Sequence, residues 1–243
     1  MYRCWVGVLL LWLAAGACGE TLRVGFGTHK PPYVFEGEPR GLEYELVDRA
    51  ARLAGFDMAA YYAPMERLHL MLRRGEIDAI TTTNERSGVE AFYSDIYIHY
   101  HNAAVALAAR GYRIERIADL GGYSVSAFQR ARLLLGAEFQ RMAEGNPRYR
   151  EEALQINRNR LLYSGRVEVV IGDPRIIQHF NREVAEQVDV SQPLAWYPLF
   201  PPTAYRVGFR LEAQCQRFDQ GLRQLQLRAS GAYQLIERRY LSD

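Results

Sequence analysis

Two polar residues follow buried strands in a pattern that occurs twice in the chain. The pattern is Leu-x-x-Gly-x-apolar-acid-apolar-apolar, and it begins at Leu72 and again at Leu162. In each copy the eighth residue after the glycine is polar, Thr83 in the first and Asp173 in the second. Ligands of open α/β sheets bind beyond the carboxyl ends of strands. The two copies therefore predict a binding cleft between two similar lobes.

The loop after the first apolar run carries side chains that could contact a ligand. Leu22–Phe26 reads as a strand, and His29, two prolines and Tyr33 follow it. From Leu42 onward the apolar residues have the spacing of an amphipathic helix. The loop between strand and helix lies at the carboxyl end of the strand, so we expect it to form one wall of the cleft.

Catalytic and metal-binding patterns are weak in this sequence. A general acid in the cleft would have to be His29, Glu43 or Glu45, and acids in a first helical turn usually complement the helix dipole. His99 and His101 would share one face of a strand, but no third metal ligand is evident. The sequence has no Ser-His-Asp signature and no glycine-rich phosphate loop. We expect a binding protein with no catalytic residue, metal or cofactor.

Strands and helices alternate along the chain, which predicts an α/β fold. The run Asn102–Ala108 reads as a strand that crosses between lobes, and Asp173-Pro174 opens a helix. The other predicted strands are Leu22–Phe26, Phe56–Tyr62, Ile77–Ile80, Gly121–Ala127, Val167–Ile171 and Tyr205–Phe209, and the other predicted helices are Leu42–Ala54, Met65–Arg74, Phe128–Ala143, Asn157–Tyr163, Cys215–Leu227 and Ala232–Leu241.

Charge and composition do not point to a nucleic-acid or membrane partner. The chain of 243 residues has a net charge of +2 and scattered arginines, and this charge is too small to imply nucleic acid or an acidic membrane as a partner, so we expect no nucleic-acid partner. Residues 1–19 contain the apolar run Trp5–Ala15 followed by small residues, which is typical of a secretory signal peptide. Lipidation at Cys18 is the alternative. Cleavage at the end of this segment leaves Cys215 alone, so we expect no internal disulfide.

Short motifs run in a fixed order along nearly all of the mature chain. They are Leu22–Phe26 with Pro31-Pro32-Tyr33, Gly41-Leu-Glu-Tyr-Glu-Leu46, Gly75-Glu-Ile-Asp-Ala-Ile80, Glu85-Arg86 with Phe92-Tyr-Ser-Asp95, Gly165-Arg-Val-Glu-Val-Val-Ile-Gly-Asp173 and the segment 228–240. Together they resemble the polar-amino-acid family of bacterial extracellular solute-binding proteins. The resemblance implies a periplasmic, monomeric protein that delivers a small amino-acid-like ligand to the permease of an ATP-driven importer.

The same resemblance implies a domain organisation. The fold would be a two-lobed periplasmic-binding-protein-like fold of type 2, an α/β fold with two crossover strands. Lobe one would contain residues 20–106 and 204–243, and lobe two residues 107–203. The lobes would close about a hinge near Ala103–Arg110 and Pro202–Arg206.

The resemblance also assigns charged ligand contacts. Arg86 occupies the position of the family's carboxylate-binding arginine, and a planar guanidinium suits a carboxylate. The alternative is an exposed arginine paired with Glu85 or Glu90. Asp173 matches the family's ammonium-binding acid, and it would also cap the helix that Pro174 begins. A zwitterion bridging Arg86 and Asp173 is the expected ligand.

Other expected contacts are less charged. Thr81 and Thr82 could offer hydroxyls or backbone groups to the carboxylate, or serve only as strand residues. Tyr33 could cover the ligand as an aromatic wall, or pack on the two prolines before it. Phe128 and Gln129 would open the lobe-two helix, whose free N–H groups suit an anion, or either could equally be a core or a solvent-facing residue.

The sequence departs from the family around the expected pocket. The segment between the strand and Arg86 is shorter than usual, Met65 replaces a tryptophan, and Phe128 and Gln129 replace part of a small-residue turn. These changes put a standard polar amino acid in doubt. Two alternatives stay open. One is a periplasmic enzyme of the same fold, similar to cyclohexadienyl dehydratases, and the other is a subunit that presents its ligand to a sensor receptor.

Overall fold

The computed structural model describes residues 19–227 and 231–241. The predicted signal peptide lies outside these ranges except for its last residue, as do Cys18 and residues 228–230 of the closing motif. None of the helices in the described ranges is long and apolar enough to cross a bilayer.

In chain order the elements are β1 (Glu20–Phe26), α1 (Leu42–Leu53), β2 (Phe56–Tyr62), α2 (Met65–Arg73), β3 (Ala79–Thr83), β4 (Phe92–Tyr93), β5 (Ile98–Tyr100), β6 (Ala103–Leu107), β7 (Val125–Phe128), α3 (Ala131–Leu134), α4 (Ala137–Gly145), β8 (Tyr149–Glu152), α5 (Gln155–Tyr163), β9 (Val169–Gly172), α6 (Pro174–Val184), β10 (Leu194–Tyr197), β11 (Thr203–Phe209), α7 (Glu212–Gln226) and α8 (Ala232–Leu241).

The strands form two separate sheets. The first has the order β2-β1-β3-β11-β4, with β5 also paired to β11, and the second has the order β10-β6-β9-β7-β8. β1 runs parallel to β2 and β3, while β11 returns antiparallel to β3. In the second sheet β7 is parallel to β8 and β9, and β6 is antiparallel to β9. The chain passes between the sheets twice, after β5 and after β10.

The change of sheet comes slightly earlier than the sequence predicts. β6 was expected to end lobe one, but its residues pair with β9 and β10 of the second sheet. All of its residues are buried. We call the unit around the first sheet the first lobe, and the unit around the second sheet the second lobe.

Helix α7 packs closely on α1 in the first lobe, and one glycine permits this contact. A Cβ atom at Gly221 would lie 2.2 Å from the carbonyl oxygen of Ala50 and 2.9 Å from the nitrogen of Ala54. Both are backbone atoms, which cannot rotate away as a side chain can. Leu222 and Leu225 of the same helix are fully buried, so glycine is required where the two helices approach most closely.

The helix predicted over Phe128–Ala143 is interrupted. β7 continues through Phe128, and Arg130 adopts a left-handed conformation with φ 64° before α3 begins. Gly136, with φ 99°, then separates α3 from α4. The prediction of one continuous helix was therefore wrong, because a residue with positive φ ends a right-handed helix.

Two strands of the second sheet, β8 and β10, were not predicted. They form the two edges of that sheet. The segment Tyr149–Glu152 is mostly charged, and Leu194–Tyr197 is half-buried along its whole length. Edge strands are stabilised by pairing on one side only and need no continuous apolar run, so periodicity gives little signal for them.

Candidate functional site

A cavity lies between the lobes where the carboxyl ends of several strands converge. Thr28 follows β1, Thr82 lies near the end of β3, Phe128 ends β7 and Asp173 follows β9, and all four line the cavity. Both sheets therefore direct the ends of parallel strands towards one space. This is the position in which open α/β sheets bind ligands.

Direct contacts close the lobes over this cavity. The Thr28 hydroxyl donates to the carbonyl oxygen of Ala153 over 3.2 Å. Arg130 of the second lobe donates to both carboxylate oxygens of Glu66 on α2, at 2.9 and 2.8 Å, and also to the carbonyl oxygen of Ser87. The structure therefore represents the closed arrangement of the two lobes.

The structure brings four of the seven predicted ligand-binding residues to the cavity wall. These are Thr82, Phe128, Gln129 and Asp173. Thr81 is buried behind the wall, and its hydroxyl donates to Glu43 over 2.5 Å. Tyr33 is also buried and stacks on Tyr100, with ring centroids 4.0 Å apart. Of these two tyrosines, Tyr100 is the one that lines the cavity.

Arg86 lies outside the cavity. Its side chain is exposed and borders a separate surface depression with Asn84 and Arg206. Asn84 accepts the backbone N–H of Arg86 and donates to the carbonyl oxygen of Ala204, which ties the short turn to β11. The short connection after β3 thus places the arginine on the outer side of the turn.

Arg158 is a buried arginine of α5 that the sequence reasoning did not identify as a site residue. It is 5% exposed and lines the cavity. Its Nη2 donates to the side-chain oxygen of Gln155, and its Nε and Nη1 have no hydrogen-bond partner. Burial lowers the pKa of Arg158 to about 10, so the guanidinium is still charged at neutral pH.

The environment of Arg158 is unusual for a buried cation. In the part of the chain that the structure describes, no carboxylate lies within ion-pair distance of it, and the more distant charges of Glu152 and Glu151 only partly offset the effect of burial on its pKa. The guanidinium lies 6.0 Å from the ring centroid of Phe128. A signal for this residue was present in the sequence, because Gln155, Arg158 and Asn159 place polar side chains on the inward face of one helix.

Asp173 is the buried acid of the cavity. It is 1% exposed, and it caps α6 by accepting the backbone N–H of Arg175 over 2.9 Å. Its other oxygen accepts the Tyr33 hydroxyl and the His101 backbone N–H, each over 3.0 Å. No arginine, lysine or histidine forms an ion pair with Asp173 within the described ranges. Burial, followed by the charge of Asp173, raises the pKa of Tyr33 well above its ordinary value, so its hydroxyl stays a donor.

A buried ion pair supports the first-lobe side of the cavity. Glu43 is fully buried, and Lys30 donates to its two oxygens at 3.0 and 3.2 Å. Glu43 also accepts the hydroxyls of Thr81, Thr82 and Tyr100, at 2.5, 2.7 and 2.6 Å. Burial alone would raise the pKa of Glu43, but the charge of Lys30 and these hydrogen bonds lower it. The expectation that Glu43 merely decorates a helical turn was wrong.

Thr82 is held in a rare backbone conformation. Its φ is 53°, which a β-branched residue seldom adopts. Its N–H donates to the hydroxyl of Tyr97 over 3.0 Å, and its own hydroxyl contacts Lys30 over 2.5 Å and Glu43. Strained residues of this kind persist where surrounding contacts fix them, often at ligand sites.

His69 adds an unsatisfied group to the cavity. It is 4% exposed, and neither ring nitrogen has a hydrogen-bond partner. Burial, assisted by the positive charge of Arg130, lowers the pKa of His69 to about 4. The imidazole is therefore neutral at physiological pH and can donate or accept one hydrogen bond towards the cavity.

The cavity itself contains no cluster of metal-ligand type among the described residues. His99 and His101 are exposed, and the group that could hold an ion consists of His29, which lines the cavity, with His179 and Glu183, which do not. Within the described ranges, the cavity instead combines a cation, Arg158, and an anion, Asp173, that form no ion pair. That arrangement can bind a small molecule that carries both charges.

Comparison with known proteins identifies the fold. The model of the bacterial extracellular solute-binding proteins, family 3, matches residues 22–243. No curated protein matches the sequence. Among solved structures, the arginine-, lysine-, histidine-binding protein ArtJ from Geobacillus stearothermophilus is similar, with a TM-score of 0.72 and 18% identity over 92% of this chain and 96% of that one.

Two further structures extend the comparison. A mutant of ArgBP from T. maritima has a TM-score of 0.71 and 22% identity, and covers 92% of this chain and 96% of its own. A histidine kinase sensor domain with similarity to periplasmic binding proteins has a TM-score of 0.75 and 19% identity, over 93% of this chain and 97% of its own. These likenesses confirm the predicted two-lobed α/β fold.

Proposed function

The chain belongs to family 3 of the bacterial extracellular solute-binding proteins, and we propose that it captures a small zwitterionic solute, an amino acid or a derivative, between its lobes. One observation carries this proposal. Arg158 and Asp173 line the same cavity, both are buried, and neither has an ion-pair partner among the described residues. A charge buried without a partner is costly, so a ligand with the two opposite charges would compensate both.

In this proposal Arg158 binds the solute carboxylate. The Nε and Nη1 atoms have no hydrogen-bond partner in the described protein, so the guanidinium keeps free donors for a charged carboxylate. His69 and the side chain of Gln129 are further polar groups along the cavity wall. The family resemblance assigns carboxylate binding to Arg86, whereas this proposal assigns it to Arg158 of the second lobe.

Asp173 accepts the solute ammonium in the same proposal. A carboxylate has about four acceptor positions, and three are occupied by Tyr33, His101 and Arg175, which leaves one directed to the ligand. Thr82 of the first lobe forms a polar part of the cavity wall, and Phe128 of the second lobe forms an aromatic part. Tyr33 lies behind the cavity wall, where its hydroxyl donates to Asp173 and orients that carboxylate.

We further propose binding without turnover, followed by delivery to the permease of an ATP-driven importer. The relatives support this in their descriptions, since one is a substrate-binding protein of an ABC uptake transporter bound to histidine. The protein would act in the periplasm as a monomer, after export by residues 1–19 and with lipidation at Cys18 as the alternative. The similar histidine kinase sensor domain supports a second candidate, ligand presentation to a sensor.

A calorimetric panel on the mature, ligand-stripped protein tests the binding proposal. The panel contains amino acids of each side-chain class, succinate as a dianion and putrescine as a dication. We expect a zwitterion to bind, and succinate and putrescine to fail. Conversion of a panel compound into a product would support the dehydratase-like enzyme instead.

Two matched arginine variants locate the carboxylate contact. Arg158→Gln removes the buried charge and should weaken solute binding about 30-fold, as expected for a lost hydrogen bond to a charged group. Arg86→Ala should stay within twofold of the wild type. The reverse result would restore Arg86 as the carboxylate ligand. Solute uptake by cells lacking the gene then separates transport from sensing, because only a transport protein is needed for uptake.

A further inference from the structure

Three side chains at the outer edge of the cleft form a cluster that the solute proposal does not use. His29 lies on the loop after β1 in the first lobe, whereas His179 and Glu183 lie one turn apart on α6 in the second lobe. One ligand atom from each residue lies within 4.8 Å of the others. The cluster therefore exists only when the two lobes are together.

The distances fit a metal ion. The Glu183 carboxylate oxygen is 3.2 Å from Nε2 of His179 and 3.7 Å from Nε2 of His29. Zinc bonds of about 2.0–2.1 Å in a tetrahedral site place neighbouring ligand atoms roughly 3.3 Å apart. The two separations from Glu183 bracket this value, and the ligand atoms of the two histidines lie within 4.8 Å of each other. Two imidazoles and one carboxylate are also ligand types that zinc accepts, and they leave a fourth position for water.

Neighbouring side chains fix the imidazole rings of His29 and His179 and leave the Glu183 carboxylate available to a metal ion. The rings of His29 and His179 pack edge-on against Phe180, with centroids 5.8 and 5.7 Å away. Within the described ranges, the ion pairs of Glu183 are confined to His29 and His179, so no arginine or lysine neutralises it. The negative charge of Glu183 is thus free to meet a cation.

Metal binding through Nε2 of His29 requires its other ring nitrogen to carry the proton. In the structure, Nδ1 accepts the backbone N–H of Glu36 over 3.2 Å. The carboxylate of Glu36 accepts the backbone N–H of His29 over 3.1 Å, so an acceptor for an Nδ1 proton is present on the same loop. A carboxylate behind a metal-bound histidine is a common supporting arrangement.

We propose that His29, His179 and Glu183 form a site for a divalent transition metal of the zinc type, and that the bound ion ties the two lobes together. The site adjoins the solute cavity, because His29 also lines that cavity, but it uses none of the proposed solute contacts. It adds a contact between the lobes that depends on the metal and not on the solute. Zinc would therefore favour the closed arrangement even without a ligand in the cavity.

Titration of EDTA-stripped protein with zinc chloride tests the site, with no amino acid present. We expect one equivalent of Zn²⁺ to bind by calorimetry, and Mg²⁺ to fail because it prefers an all-oxygen set. His29→Ala, His179→Ala and Glu183→Gln should each weaken zinc binding at least about tenfold. His99→Ala removes an exposed histidine outside the cluster and should bind like the wild type.

Small-angle X-ray scattering tests the connection between the lobes. Zinc should shift the profile of the wild type towards that of the closed structure, and it should not do so in His29→Ala. Absence of stoichiometric zinc binding would overturn the proposal, as would binding that survives all three cluster substitutions. Stoichiometric binding without compaction would overturn the role in tying the lobes. Glu183→Gln is nearly isosteric, so its result does not depend on a loss of folding.

Discussion

The hydroxyl of Tyr33 in the first lobe donates to Asp173 in the second lobe over 3.0 Å. This hydrogen bond joins the two sides of the cleft at the carboxylate that lines the cavity. Tyr33 is fixed by stacking on Tyr100, and Asp173 is fixed by capping α6. The contact therefore links lobe closure directly to the orientation of a proposed ligand group.

Removal of this hydroxyl should favour the open arrangement of the lobes. Tyr33→Phe keeps the stacked ring but loses one buried hydrogen bond, worth about 1 kcal/mol, which corresponds to roughly a fivefold shift between closed and open forms. Single-molecule energy transfer between dyes on the two lobes measures this population. Tyr62→Phe is the control, because its hydroxyl contacts Glu38 within the first lobe. An unchanged closed fraction in Tyr33→Phe would contradict the prediction.

Replacement of Arg158 by an apolar residue should stabilise the ligand-free protein while it abolishes solute binding. Two nitrogens of this buried guanidinium lack partners, so Arg158→Met removes an unsatisfied charge and should gain about 1 kcal/mol in unfolding free energy. Urea unfolding measures the difference. Arg86→Ala changes an exposed side chain and should stay within about 0.5 kcal/mol. A large destabilisation by Arg158→Met would mean that the arginine is structural.

Because of His69, the unfolding free energy should depend on pH in the mildly acidic range. Its pKa is lowered from 6.5 to about 4 in the folded protein, so only the unfolded chain takes up the proton between these values. The unfolding free energy should consequently fall as pH decreases from 6.5 to 4, by roughly 2 to 3 kcal/mol, and then level off as far as His69 is concerned.

The contribution of His69 is measured as the difference between wild type and His69→Asn in urea unfolding across this pH range. Subtraction is needed because burial also lowers the pKa of His179. We expect the asparagine variant to lose most of the slope. Equal slopes in the two proteins would show that folding does not lower the pKa of His69.

The ion pair of Lys30 and Glu43 should show strong energetic coupling. Glu43→Gln leaves a buried ammonium without its counter-charge and should cost about 3 to 5 kcal/mol, whereas the combined change Lys30→Met with Glu43→Gln should cost less than the sum of the two single changes. A double-mutant cycle of unfolding free energies gives the coupling. Additive effects would contradict a direct interaction.

The contact between α1 and α7 should not accept a methyl group at Gly221. The added Cβ would meet backbone atoms of Ala50 and Ala54, so Gly221→Ala should cost roughly 2 to 3 kcal/mol. Gly145 of α4 is the matched control, since nothing lies within 4 Å of its position. Gly145→Ala should be neutral or gain up to about 1 kcal/mol from helix propensity. Thermal unfolding compares the two variants.

The sequence predicted the fold well because most elements have strong local patterns. β2 and α8 have the bounds that the apolar pattern predicts. Apart from the helix over Phe128–Ala143, the remaining predicted elements differ by a few residues at their ends. Failures occurred where the local pattern is weak. The edge strands β8 and β10 lack a buried face, and the positive φ of Gly136 divides a helix that its leucines make appear continuous.

The site was harder to predict because its chemistry depends on residues far apart in the chain. Glu43 is buried because Lys30, Thr81, Thr82 and Tyr100 converge on it, and no local spacing reveals that set. Asp173, in contrast, follows directly from its position after a buried strand. The position of Arg86 depends on the length and capping of one turn, which a family resemblance does not determine.

Arg158 and Asp173 both belong to the second lobe, and this has a kinetic consequence. On the proposed binding mode, a solute can meet both charged partners while the cleft is still open. The association rate should then depend on the second lobe alone, and the first lobe should act mainly on the residence time. Substitutions at Thr28 or Glu66 would shorten the lifetime of the complex and leave the rate of capture nearly unchanged.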